Sequence, residues 1–288
     1  MIITTAEEIR NLTGSYYANN DFTKIEATVA AVEYELRTTL GMATLEVLSG
    51  DALKAAKQAV AFMTTMRFYR LNDLSHENAG RKVKIDKDNE ARPFEWQLAR
   101  DDRAHLEEYY RALDRLLDLL QDNTEFKASK TWQRQQLLIV KDADSLSYLT
   151  GLDPSPWLYL RLVPYLTESQ RFVEKAYGSA LQEITGNDEL EHAAQMAVAL
   201  GAIALMGRRT SLTTLPYGLM KAMESDGGGN QKEAADLDRL NAFMKHLSHE
   251  QHYWLEEMKQ LRDEAAGEAK ASRLQMPEND SQNKFMRV

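Results

Sequence analysis

The chain is 288 residues long, has no cysteine, and carries a formal net charge of −9 from 44 acidic and 35 basic residues. That length allows two domains of ordinary size. The missing cysteines exclude disulfides and thiolate metal sites, and the acidic surplus opposes binding to nucleic acid, whose affinity rests on phosphate contacts. Only 14 glycines and 6 prolines, amid much Ala, Leu, Glu and Lys, predict a mainly all-α protein.

Ile2-Ile3 forms a short apolar segment leading to Thr5, with Glu8 three residues on. This is a capping-box pattern, in which the hydroxyl and the carboxylate each satisfy a free N–H at a helix start. The helix should end at Leu12-Thr13-Gly14, where glycine can take the left-handed conformation. Ile25, Val29, Val32, Leu36 and Leu40 then recur at helical spacing up to Gly41. "AAKQAVAF" (Ala55 to Phe62) predicts a central helix whose small residues admit a close neighbour. Next, Val83 and Ile85 alternate with charged residues before a polar turn at Lys87 to Asn89, predicting a small β-hairpin or flap over Arg81 to Trp96. A long helix from Glu95 to Gln121 closes this half.

The chain then starts again. "IVKDADSLSYLTG" (Ile139 to Gly151) follows "IITTAEEIRNLTG" (Ile2 to Gly14) at a spacing of 137 positions, with Asp142 as the N-cap in place of Thr5. "LDPSPWLYLRLVPYL", with Pro154, Pro156 and Pro164, is expected to be a longer loop. The stripe Val173, Tyr177, Leu181 and Ile184 predicts a helix stopping at Gly186. "AAQMAVAL" (Ala193 to Leu200) matches the alanine-rich helix at a spacing of 138, with Ala193, Ala194, Ala197, Val198 and Ala199 identical to Ala55, Ala56, Ala59, Val60 and Ala61. A glycine-rich stretch around Gly227 to Lys232 precedes a second long helix, Ala234 to about Ala266. Two matched blocks in the same order favour tandem duplication over chance likeness. The expected organisation is a first helical unit over 1–123, a linker over 124–132, a second similar unit over 133–266, and a flexible tail over 267–288. No apolar run approaches the roughly 20 residues of a membrane helix, and "MIITTAEEIR" lacks the order of a signal peptide. A soluble, cytosolic chain is therefore expected, with no membrane partner.

Catalytic chemistry is sought and mostly not found. "HLSHEQH" places His246, His249 and Glu250 on one helix side, but His249 and His252 are one residue short of the zinc-protease spacing. A solvated polar face is expected there. Glu189-x-x-His192 has the spacing of a di-iron bundle motif, yet the first half offers Asp51 and Lys54 at the corresponding place. Asp73 to His76 and Asp102 to His105 keep that spacing but carry aspartate. "GGGNQK" lacks the Lys-Ser/Thr ending of a phosphate loop. Arg208-Arg209 would meet the negative end of a helix dipole. With no nucleophile–base–orienter set, the chain is expected to be no enzyme and to hold no cofactor or metal.

The segment "AEEIRNLTG", a following helix that ends in glycine after an Ile/Val/Leu stripe, and the alanine-rich "LKAAKQAVAFMTTMRFYRL" resemble the small helical head–tail connector (adaptor) proteins of tailed phages. The resemblance runs from Met1 to about Leu74 and again from Leu137 to about Leu212. The whole chain is also similar to bacterial prophage proteins that share "RPFEW" followed by a "YYRALDRLLDLL" helix. Connectors of this type are usually single-copy and about half this length, so the chain resembles a duplicated form. The resemblance implies a structural virion protein at the head–tail junction, assembled from the host cytoplasm. It implies a ring homo-oligomer, commonly a dodecamer, below the portal protein, with a tail or stopper protein on its other side and no sequence-specific nucleic acid contact. Candidate interface residues are Val83, Ile85, Phe94 and Trp96 in the flap and Phe285, Met286 and Val288 in the tail. The alternatives are a soluble helical metal-binding enzyme using His246 to His252 with Glu189 and His192, and a cytosolic helical interaction protein unrelated to virions.

Overall fold

The computed structural model describes residues 1–14, 21–72, 75–77, 80–82, 95–184, 186–209 and 231–265. The chain is mainly α-helical, as its composition predicts. α1 (Ala6–Thr13), α2 (Thr23–Leu40), α3 (Gly50–Asn72) and α4 (Glu95–Leu120) are followed by the short α5 (Thr124–Ala128) and α6 (Lys130–Gln135). α7 (Ala143–Thr150), α8 (Pro156–Tyr177), α9 (Asp188–Arg209) and α10 (Gln231–Ala265) complete the described helices. Single 3₁₀ turns follow α2 (Thr44–Val47) and α8 (Leu181–Glu183).

The caps at Thr5 and Asp142 and the stops at Gly14, Gly41 and Gly151 form as expected. Thr5 Oγ1 accepts from Glu8 N at 3.2 Å, and the Glu8 carboxylate accepts from Thr4 N at 3.2 Å. In the second half, Asp142 Oδ1 accepts from Ser145 N at 2.7 Å. Gly14 and Gly151 end their helices at φ 70° and 69°, where a side chain would be strained.

Two apolar cores result. In the first, α3 packs on α4, α2 and α1, burying Ile3, Ile9, Ile25, Ala59 and Leu113. In the second, α9 packs on α10, α8 and α7, burying Val140, Leu162, Leu166, Ala197 and Met258. The alanine-rich helices are central in both, with Ala55, Ala59, Ala193 and Ala197 all inaccessible to solvent or nearly so.

One contact recurs that no sequence pattern suggested. Ile2 N donates to Glu33 Oε2 at 2.8 Å, and Ile139 N donates to Gln170 Oε1 at 2.9 Å. Each bond spans 31 residues, and both partners shift by the same 137 positions. The side chain of the second helix thus holds the extended segment before the first one in each half. Glu33 is itself buried and also accepts from Arg37 at 3.0 Å, whereas Gln170 needs no counter-charge.

Several expectations are corrected. The proline-bearing stretch after Gly151 is not a loop. Ser155 caps α8 by accepting from Leu158 N at 3.1 Å, Pro156 enters at the start of the helix where its missing N–H costs nothing, and Pro164 sits inside. An internal proline costs about 3 kcal/mol, which burial of Leu158, Leu162 and Leu166 on one stripe outweighs. α8 stops at Gly178 rather than Gly186, and Leu181 and Ile184 lie beyond it. The stretch 124–132, expected as a linker, is helical, capped by Asn123 and Ser129, with Phe126 buried in the first core. α9 is long and apolar enough to cross a membrane by composition, against expectation, with 72% of its apolar window buried inside the second core. Two three-residue strands, β1 (Ser75–Glu77) and β2 (Gly80–Lys82), pair antiparallel with His76 opposite Arg81. β2 takes in Arg81 and Lys82, the first two residues of the anticipated flap; Val83, Ile85 and Phe94 fall outside the described residues. So do the glycines of the "GGGNQK" stretch and the tail with Phe285, Met286 and Val288.

Candidate interaction surfaces

The second half packs on the first through α8. Leu160 is buried in the first core, and Trp157 packs against it. Asp114 of α4 fastens this junction by accepting from Ser155 Oγ and Trp157 N, both at 2.8 Å. A carboxylate facing the free N–H groups of a helix start is favoured by charge, yet burial dominates and raises the Asp114 pKa above the ordinary aspartate range. The folded state therefore binds the proton more tightly than the unfolded chain. Stability should be highest with Asp114 protonated and should fall as pH rises from the ordinary aspartate pKa through the raised one. Asp114→Asn keeps an acceptor for Trp157 N and removes the buried charge. It should raise Tm at neutral pH, and its advantage should shrink as pH falls from the raised pKa to the ordinary aspartate value and be gone below it; thermal melts against pH check both.

A groove of about 740 Å³ lies at the same junction, bounded by α2, α6 and α8. Its floor is apolar, with Leu138, Leu160, Val163 and Pro164, and its walls carry Arg134, Arg161 and Arg171. Leu137, 68% exposed, opens onto it. A second cavity, about 600 Å³, adjoins it in sequence, lined by Phe126, Trp132, Tyr159 and the carboxylates of Asp118, Asp142 and Asp144. Burial, reinforced by Asp144, raises the Asp118 pKa.

The residues singled out for metal chemistry are dispersed or otherwise engaged. His246, His249 and His252 are exposed on α10, with His246 Nε2 at 3.4 Å from Glu250 Oε1 and the His252 ring edge-on to Phe172. His192 is instead packed between aromatic rings, 5.6 Å from Trp254 and 6.4 Å from Tyr148 in edge-to-face geometry. His105 Nδ1 donates to the Asp101 carbonyl at 3.0 Å, and Asp102 pairs with Arg70 at 2.7 Å. Among the described residues, no three His, Asp or Glu side chains converge as metal ligands. Arg209 makes a bidentate pair with Glu168 at 2.5 and 2.8 Å, and Arg208 donates to Ser248 Oγ at 2.5 Å. These contacts tie the end of α9 to α8 and α10.

Of the anticipated interface residues, Trp96 is described: it stands at the start of α4, 61% exposed. Further large exposed side chains are Tyr148 (82%) and Tyr253 (60%), which with His192 and Trp254 form one aromatic patch across α7, α9 and α10. Sequence reading did not assemble this patch, because its members on α7 and α10 lie more than a hundred residues apart and meet through His192 of α9.

Compared with known proteins, the chain matches no family model, no curated protein and no solved structure.

Proposed function

We propose that the chain is a tandem of two similar helical units acting as a structural head–tail connector of a tailed phage or prophage. In this reading it forms a ring below the portal and bridges the capsid to the tail. The observation that carries the tandem is the recurring contact between the extended segment and the second helix, Ile2 with Glu33 and Ile139 with Gln170, in which donor and acceptor shift by one spacing. Gly41 and Gly178 end the equivalent helices at that spacing too, and a 3₁₀ turn follows each. Duplicated contacts between unlike residues, Glu in one half and Gln in the other, are hard to obtain by chance likeness of composition. The connector role rests on the sequence resemblance, which each half carries separately. The fold supports it with two cores, a fastened junction and large exposed aromatic residues.

Co-expression with the portal protein encoded in the same genome tests the role. The intact chain should sediment with portal rings. Truncation after Ala266, or Val83→Ser with Ile85→Ser, should leave helical content unchanged and abolish that binding. If the intact chain does not bind portal, the connector role falls. If both variants bind normally, the flap and tail are not the contact.

A further inference from the structure

The arginine-walled groove and the aromatic patch are complementary surfaces on one chain, and we infer that the groove of one copy receives the patch of a second. Among the described residues some arginines are ion-paired and others are not; Arg10, Arg100 and Arg115 stand unpaired elsewhere, and three more unpaired ones gather along this groove. Arg37, Arg67, Arg70, Arg111 and Arg209 each pair with a carboxylate. Arg134, Arg161 and Arg171 make no ion pair or hydrogen bond among the described residues, although acids outnumber bases in the chain. The one carboxylate in the groove lining, Glu174, is turned inward, accepting from Gln170 Nε2 at 3.0 Å and Leu181 N at 3.4 Å.

The patch is the converse. Tyr148, Tyr253 and Trp254 surround His192, with Glu189 one helical turn before His192 and Glu257 one turn after Tyr253 and Trp254. Neither glutamate has a cation or hydrogen-bond partner among the described residues. Guanidinium groups bind carboxylates and also stack on aromatic faces, so three arginines beside apolar side chains, unpaired among the described residues, fit two glutamates likewise unpaired around exposed tyrosines. The groove is partly open to solvent, with Leu137 mostly exposed at it, so a protruding side-chain cluster of another chain can reach it. The two surfaces share no residue, so the contact is head-to-tail. Such contacts close into rings when the rotation per copy allows and otherwise extend as filaments. The inference deepens the connector reading and, for the biological use of the contact, rests on it.

Charge reversal in the full-length chain tests the contact, read by sedimentation velocity across the micromolar range at low salt. The wild type should self-associate, and added salt should weaken the association. Arg134→Glu, Arg161→Glu and Arg171→Glu together should give a monomer, as should Glu189→Lys with Glu257→Lys, each with unchanged helical circular dichroism. Mixing the two variants should restore association, because each then offers the surface the other lacks; so should combining all five changes in one chain. A wild type that stays monomeric, or a mixture that fails to associate, overturns the contact. Association untouched by either set overturns it as well while leaving the connector role, which portal binding decides, standing. If the triple reversal does not fold, Arg161→Gln with Arg171→Gln must weaken association several-fold, and unchanged association in that variant counts against the contact.

Discussion

Replacing Ile25 or Leu162 by alanine should cost about 2–5 kcal/mol in each case. The two positions stand 137 residues apart, on the second helix of each half, and both side chains are fully buried. Each truncation removes apolar area from contact and leaves a cavity lined by packed helices that can collapse only in part. Urea unfolding followed by circular dichroism measures the loss. Similar losses at both sites would support equivalent roles in the two cores. A loss under about 1 kcal/mol, the ordinary range for a substitution with no special mechanism, would show that one of them is not a core position.

The second large effect is overpacking of the central helices. Ala59→Leu and Ala197→Leu should each cost about 1–3 kcal/mol, because three extra carbons enter a contact that has no free volume. Ala197 should sit at the upper end. One turn further along α9, a Cβ at Gly201 would lie 2.4 Å from Ser169 Oγ and 2.0 Å from Gln251 Nε2, so α8 and α10 both press against the α9 backbone on this side. Gly207, farther on, is approached as closely by Met244. Thermal unfolding of the two variants checks the ranking. Unchanged stability in both would mean that alanine is present for helix propensity rather than for close approach.

Much of the fold was legible because its signals are local. A cap needs one oxygen three residues from an N–H, so Thr5 and Asp142 announce their helices without reference to the rest of the chain. The stripe from Ile25 to Leu40 and the stop at Gly41 are equally local, and the structure places them as read. The same logic failed over α8. Three prolines within eleven residues suggest a loop when each is weighed alone, but Pro156 occupies the tolerated first turn and Pro164 faces outward while its neighbours are buried. Propensity was overridden by tertiary burial, and the misplaced helix hid that Gly41 and Gly178 cap α2 and α8 at the 137-residue spacing.

The candidate surfaces were less legible. Of the seven anticipated interface residues only Trp96 falls among those described, and it is exposed. The histidine cluster drew attention by density in sequence, which says nothing of convergence in space. On α10 its three members are all exposed, while His192, isolated in sequence, is the one enclosed by aromatic rings.

By itself the sequence determined helix content, most of the caps and glycine stops, the two alanine-rich central helices and the restart at Ile139, since each depends on residues within a few turns of one another. Only the tertiary structure decided that Glu33 and Gln170 reach back to Ile2 and Ile139, that Asp114 fastens one half to the other, and that three arginines, without carboxylate partners among the described residues, gather along one groove. Those are relations between side chains many turns apart. Their free energy depends on distance and burial, and neither quantity exists until the helices have packed.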